Sequence, residues 1–168
     1  MISEPTIQDR TEQPYVAIRA RAQMRELDRV IAQLLGEVGA WLGQHGVAPA
    51  GAPFVRYLVV DMEGDLDIEV GFPVASASDG SGRVTAGVLP GGRYASIIHT
   101  GHYDGVRGAN MALIDWAARQ GLVWDTRPAE HGQGFSARLE TYHTDPAREP
   151  DPAKWETEVA IRLADGQG

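Results

Sequence analysis

Two short stretches decide the fold: Trp41-Leu-Gly-Gln-His-Gly46-Val47 and Trp116-Ala-Ala-Arg-Gln-Gly121-Leu122. In each, a Trp stands five residues before a Gly placed to end a helix. Two further matches follow in the same order. Tyr57 with Asp61 resembles Tyr142 with Asp145, and Asp67-Ile-Glu69-Val70-Gly-Phe-Pro-Val74 resembles Glu156-Thr-Glu158-Val159-Ala-Ile-Arg-Leu163. The spacing between copies grows along the chain, as loop insertions in the second copy produce. Three ordered matches mark an internal duplication.

Working outward, each copy reads as strand, helix, strand, strand. In the first, Tyr15–Met24 alternates as a strand does. Leu27, Val30, Ile31, Leu34, Leu35, Val38, Trp41 and Leu42 then recur with helical spacing, and Trp41 in mid-stripe reads as core. Strands follow at 54–60 and 66–74, joined through the turn at Glu63-Gly-Asp65. In the second copy, strands at 83–89 and 93–100 precede a helix over about 105–119, and strands at 137–143 and 155–163 close the chain. The domain expected is one α+β unit over 14–163, with repeat 1 at about 14–74, a linker at 75–82 and repeat 2 at about 83–163. A polar, loosely packed segment 1–13 precedes it and a tail 164–168 follows. Two such units place an antiparallel sheet under two helices on one face, related by a pseudo-twofold axis. They leave a concave ligand cleft on the opposite face.

Composition narrows the function. The chain has 168 residues, 43% hydrophobic and 23% charged, which suits a globular domain. Fifteen Lys and Arg against 23 Asp and Glu give a net charge of −8, which repels phosphate backbones and argues against nucleic acid as a partner. No cysteine is present, so disulfides, thiol catalysis and Cys-based zinc sites are excluded. No apolar run reaches the roughly 20 residues of a membrane span, and the N-terminus lacks a signal-peptide core. A cytoplasmic protein with no membrane partner is expected. His99, His102 and Asp104 do not make a metal site, because an odd separation puts the two His on opposite strand faces. Pro90-Gly91-Gly92 is a turn and not a P-loop. Ser76, Ser78, Ser81 and Ser96 lack the nucleophile-elbow context, so no metal or cofactor is expected. Glu63, Asp65, Asp67 and Glu69 read as a solvated hairpin edge.

The stretch Leu89-Pro-Gly-Gly-Arg-Tyr-Ala-Ser-Ile-Ile-His-Thr-Gly101-His-Tyr-Asp-Gly105, the pair in Glu140-Thr-Tyr142, Pro152–Val159 and Gly64–Val74 together resemble the GyrI-like small-molecule-binding superfamily. This family includes the effector-binding domains of MerR-type and AraC-type multidrug-responsive regulators. The resemblance covers residues 14–163 and implies a pair of βαββ units binding lipophilic, often cationic, aromatic molecules in a central cleft. The regulators carry a DNA-binding helix-turn-helix ahead of this domain. Nothing ahead of Tyr15 has room for one, so a stand-alone form is expected.

Glu140 is the central candidate. On a strand, Arg138, Glu140 and Tyr142 share one face. Leu139 and Thr141 suit packing under the helices, which assigns Glu140 and Tyr142 to the open face. The resemblance implies that the Glu of Glu-x-Tyr lies in the ligand cleft. A carboxylate among aromatic rings attracts a cation, the rings add cation–π contacts, and the apolar setting raises the carboxyl pKa. Tyr57, on the equivalent strand, is expected to face Glu140 across the axis. Trp116, Trp124 and Trp155 are candidate walls. The leading expectation is a binding module for lipophilic aromatic or cationic compounds, serving drug sensing, sequestration or resistance. The alternative is a hydrolase of the same cleft that opens electrophilic cyclopropane-bearing aromatic natural products. In it Glu140 activates water and Tyr142 or Tyr57 supports the developing oxyanion. A third reading, an acidic inhibitor with a protein partner, is weakened because the acids are scattered.

Overall fold

The computed structural model describes residues 1–61 and 63–166. The last two residues of the expected tail, Gln167 and Gly168, lie outside them. Among the described residues ten strands form one antiparallel sheet with two α-helices. In chain order these are β1 (Thr6–Arg10), β2 (Gln13–Ala22), α1 (Leu27–Gln44), β3 (Phe54–Val60), β4 (Leu66–Pro73), β5 (Val84–Leu89) and β6 (Gly92–Thr100). Then come α2 (Val106–Arg119), β7 (Thr126–Pro128), β8 (Gln133–Phe135), β9 (Arg138–Tyr142) and β10 (Glu156–Arg162). The two helices end where the repeated glycines predict: Gly46 and Gly121 take left-handed φ of 64° and 70°. Neither helix is long and apolar enough to cross a membrane.

The strand order is β1-β6-β10-β9-β3-β4-β2-β5. It is palindromic about the β9–β3 pair, with β6, β10 and β9 answering β2, β4 and β3. The register shows where the axis runs. Val55 on β3 pairs with Glu140 on β9, while Val55 also pairs with Val70 and Glu140 with Val159. Val55 and Glu140 are therefore symmetry mates that face each other across the pseudo-twofold.

The leading strands exchange partners. β1 pairs with β6 of the other half, Ile7 opposite Ala95, and β5 pairs with β2, Ala86 opposite Val16. The first thirteen residues are thus not loosely packed. They carry a strand that answers β5, its Thr6 hydroxyl bonded to Ser96 (3.2 Å) and its Arg10 to Glu158 (3.1 Å). The polar sequence hid this, because an edge strand needs few apolar side chains. The repeating unit is accordingly strand, strand, helix, strand, strand.

Both sheet faces are buried. Under α1 lie Val16, Ile18, Val55, Ile68 and Val70, packed on Ile31, Leu34, Val38 and Trp41. Under α2 lie Ala95, Ile97, Val159 and Ile161, packed on Val106, Ala109 and Leu113. The two-residue links Thr11-Glu12 and Pro90-Gly91 each join strands at opposite ends of the order, so the open sheet curls until its ends approach. This curl encloses a third core on the face away from the helices, built from Tyr15, Phe54, Tyr94, Leu139 and Ala160. The expected cleft on that face is therefore filled. The acids of β4 are also not a solvated edge. β4 lies between β3 and β2, Asp67 is 6% exposed and salt-bridged to Arg19, and Glu69 accepts from the Tyr15 hydroxyl at 2.6 Å. Burial and the Glu69 carboxylate push the Tyr15 phenol up to about 12. The short β7–β8 hairpin, which joins β3, was not anticipated in the region between α2 and β9.

Candidate functional site

A cavity of about 820 Å³ opens between the two helices, above β3 and β9 at the pseudo-twofold axis. That volume suits a drug-sized molecule. It lies on the helix face of the sheet, the reverse of the expectation. Glu140 and Tyr142 share one face of β9, as strand alternation predicts. The wrong assignment came from Leu139, whose apolar side chain packs with Tyr15 and Phe54 in the third core. With both faces buried, an apolar residue does not say which one lies under the helices.

Glu140 sits at the floor. Its Oε1 accepts the Tyr57 hydroxyl (3.0 Å) and its Oε2 accepts the Asn110 side-chain amide (3.3 Å). Asn110 is held in turn: its amide also donates to the Val106 carbonyl, and its oxygen accepts from Arg138 (3.2 Å). The Arg138 guanidinium lies 4.9 Å over the Phe135 ring. Among the described residues no cationic nitrogen comes within salt-bridge distance of Glu140, so neutral donors hold it. Burial raises its pKa. The bonds from Tyr57 and Asn110 and the charge of Arg138 oppose this, while Asp28 adds to it. Burial beside that carboxylate holds the Tyr57 and Tyr142 phenols well above their ordinary value. Burial also lowers Arg138.

The walls differ in character. Leu27, Ile31, Ala32 and Leu35 of α1, with Pro53 and Phe72, make one side. Tyr103, Val106, Tyr142, His143 and Thr144 make the other, with Asp28 and Asp145 near the mouth. Three carboxylates line the cavity, and among the described lining residues there is no Lys or Arg. Tyr103 belongs to the 3₁₀ turn Tyr103–Gly105. Its ring stacks on Trp155 at 4.8 Å and meets Tyr142 edge-on at 5.5 Å. Below the turn, His99 Nε2 donates to the His102 carbonyl (3.0 Å).

Of the residues singled out in the sequence, the structure brings Glu140, Tyr57 and Tyr142 together on the cavity floor. Trp155 stands behind Tyr103 and is fixed by its indole N–H on the Glu149 carbonyl (2.7 Å). Trp116 and Trp124 are not walls. Both pack against the core beneath α2, and Trp124 bridges to Leu163. Sequence reasoning missed Tyr103 and the α1 residues, which line the cavity, and Asn110, which holds Glu140 without lining it. Their signal was the copy-to-copy alignment of the helices, which sets polar Asn110 against Leu35.

The sequence matches the GyrI-like small molecule binding domain over residues 3–164. No curated protein sequence gives a match. Solved structures do. The EcmrR C-terminal domain superposes with a TM-score of 0.78 at 18% identity, covering 96% of this chain and 97% of that one. The longer EcmrR chain in an EcmrR–DNA complex gives 0.80 at 19%, covering 95% of this chain and 57% of that chain, so the present chain spans a little over half its length. SAV2435, solved bound to tetraphenylphosphonium, gives 0.62 at 12%, covering 97% and 95%. A hydrolase from Listeria innocua gives 0.61 at 13%, covering 96% and 92%. At these identities the likeness speaks for the fold.

Proposed function

The chain belongs to the GyrI-like small-molecule-binding family, and on that footing we propose that it binds lipophilic aromatic cations in the cavity between its helices, with Glu140 as counter-charge. One observation carries this. A carboxylate with a raised pKa, held only by neutral donors, lies on the floor of an 820 Å³ cavity with apolar and aromatic walls. A cation seated there gains an ion pair in a poorly hydrated setting, and the Tyr103 and Tyr142 rings add cation–π attraction. The tetraphenylphosphonium complex of SAV2435 supports the ligand class.

Titrating tetraphenylphosphonium into the protein and into Glu140→Gln, across a pH series, tests the reading. The variant is expected to bind about tenfold or more weakly, which corresponds to roughly 1.4 kcal/mol. Wild-type affinity falls as pH drops through the raised Glu140 value. The variant lacks that step. Equal binding by both proteins at every pH refutes the assignment.

The same floor supports a second reading, hydrolysis of an electrophilic aromatic compound. A carboxyl of raised pKa beside two phenols is suited to moving a proton to or from water, and the Listeria innocua relative is a hydrolase. A water-added product from a cyclopropane-bearing aromatic, seen by mass spectrometry with wild type and missing with Glu140→Gln, favours it. Recovery of the compound unchanged rejects it.

A further inference from the structure

The turn that carries Tyr103 lies over one imidazole and is capped by another. His99 on β6 is 7% exposed, and its Nε2 lies 3.0 Å from the His102 carbonyl. A carbonyl only accepts, so Nε2 carries the proton and Nδ1 is bare in the neutral ring. Nδ1 is buried and meets no protein partner. The turn itself covers the ring, so closely that a Cβ on Gly105 would collide with it. His102 caps the turn, its own Nδ1 accepting the Asp104 amide at 3.1 Å. That bond also requires a neutral ring.

The surroundings of His99 do not answer a positive charge. Thr157 stands directly opposite on β10, and its hydroxyl is likewise unbonded. Glu156 and Glu158 flank Thr157 along the strand and so point to the other face. Ile2 stands opposite on the N-terminal side, where the Met1 ammonium donates to the Thr100 carbonyl. The charged residues of β1, Asp9 and Arg10, pair with the far end of β6. The core beneath α2 meets β6 through Val106, Ala109 and Leu113. The turn brings His102 and Asp104, and the Asp104 carboxylate lies 3.2 Å from the His102 ring. Among the described residues no carboxylate is within salt-bridge distance of His99.

An imidazolium at His99 is therefore disfavoured while it is covered, and imidazole is the side chain that charges between about pH 5 and 8. Water reaches the ring when the turn lifts. Tyr103 is the first residue of that turn, so lifting draws its ring off Trp155, on which it stacks at 4.8 Å. A proton on His102 acts in the same direction: its Nδ1 then donates to the Asp104 carboxylate and releases the Asp104 amide. We propose that the turn Tyr103–Gly105 is an acid-operated wall, closed over a neutral His99 and lifted from the cavity when His99 takes a proton. The device belongs to the wall and holds for any ligand the cavity takes.

Proton NMR of the ligand-free protein from pH 8 to pH 5 tests this. The Tyr103 ring protons, displaced by the Trp155 ring while stacked, are expected to move to unstacked values with the midpoint of the His99 ring proton. The amides of β9 and β10 are expected to stay in place. The step should persist in Glu140→Gln, which separates it from the carboxyl on the cavity floor. It should vanish in the double variant His99→Gln with His102→Asn, where each amide keeps the bond of the nitrogen it replaces and does not titrate. Tyr103 stacked throughout, a midpoint that His99 does not share, sheet amides that move with Tyr103, loss of the step in Glu140→Gln, or its survival in a folded double variant overturns the proposal. The wild-type titration decides even where the double variant does not fold, and no outcome depends on cation binding.

Discussion

Glu140 ties stability to pH through one side chain. Its folded-state value is raised above the ordinary 4.5, chiefly by burial. A carboxyl shifted upward contributes most to stability when protonated, below the unfolded value, and loses that contribution as pH rises through the folded one. Glu140→Gln imitates the neutral acid. The variant and wild type should melt together near pH 4. The variant should melt higher as pH rises past 4.5, until the gap levels off above the folded-state value. A gap that shrinks with rising pH refutes the sign. Tyr57→Phe acts in the opposite sense, because it removes a bond to the charged form. It should cost about 1.5–3 kcal/mol at neutral pH, the range for bonds to charged groups, and less in acid. Urea unfolding at the two pH values measures both. The gain in stability and the loss of cation binding in Glu140→Gln have one origin, the cost of holding a charged carboxyl in a buried setting.

At the scale of elements, the 3₁₀ turn Tyr103–Gly105 sets the cavity's aromatic wall, and His99 beneath it sets the turn. A Cβ on Gly105 would collide with the His99 imidazole, a ring fixed on the buried strand β6 and not free to swing away. Gly105→Ala should cost about 1–3 kcal/mol, the range for overpacking. It should also move Tyr103 off Trp155, weakening tetraphenylphosphonium and altering Trp fluorescence. Unchanged melting and fluorescence would show that the turn yields freely. The elements were largely legible in the sequence, because helical periodicity in Leu27–Leu42 and the paired glycines are local signals. The site was legible only in part. Glu140, Tyr57 and Tyr142 could be found, since strand alternation and the duplication place them. The side of the sheet they occupy could not, because it depends on a curl set by pairing between β1 and β6, far apart in the chain. Trp116 and Trp124 misled for a related reason. A large ring satisfies a core or a pocket equally well, and only the packing of α2 decides between them.

For the whole molecule, the exchanged leading strands make the two halves interdependent. β1 starts in the first half but completes the sheet of the second, and β5 does the reverse. Each half therefore lacks an edge strand without the other, and the cavity between α1 and α2 exists only when both halves close around the axis. β1 itself contributes nothing to the cavity lining. It covers β6, packs Ile7 on the core beneath α2 and pairs Arg10 with Glu158. Stability and binding should thus separate when it is removed. Deleting residues 1–10 should cost about 2 kcal/mol or more, which lowers Tm by roughly 4–8 °C in a chain of this size. It should also bare the long edge of β6 to self-association at high protein concentration. Affinity for tetraphenylphosphonium, measured well below Tm, should stay within about twofold of wild type. Added ligand should raise both melting points by the amount its affinity and concentration set. An unchanged Tm would show that β1 merely lies against the sheet. A large loss of affinity in a truncated protein that is still folded would show that closing the sheet's ends is what holds the two helices at the cavity's width.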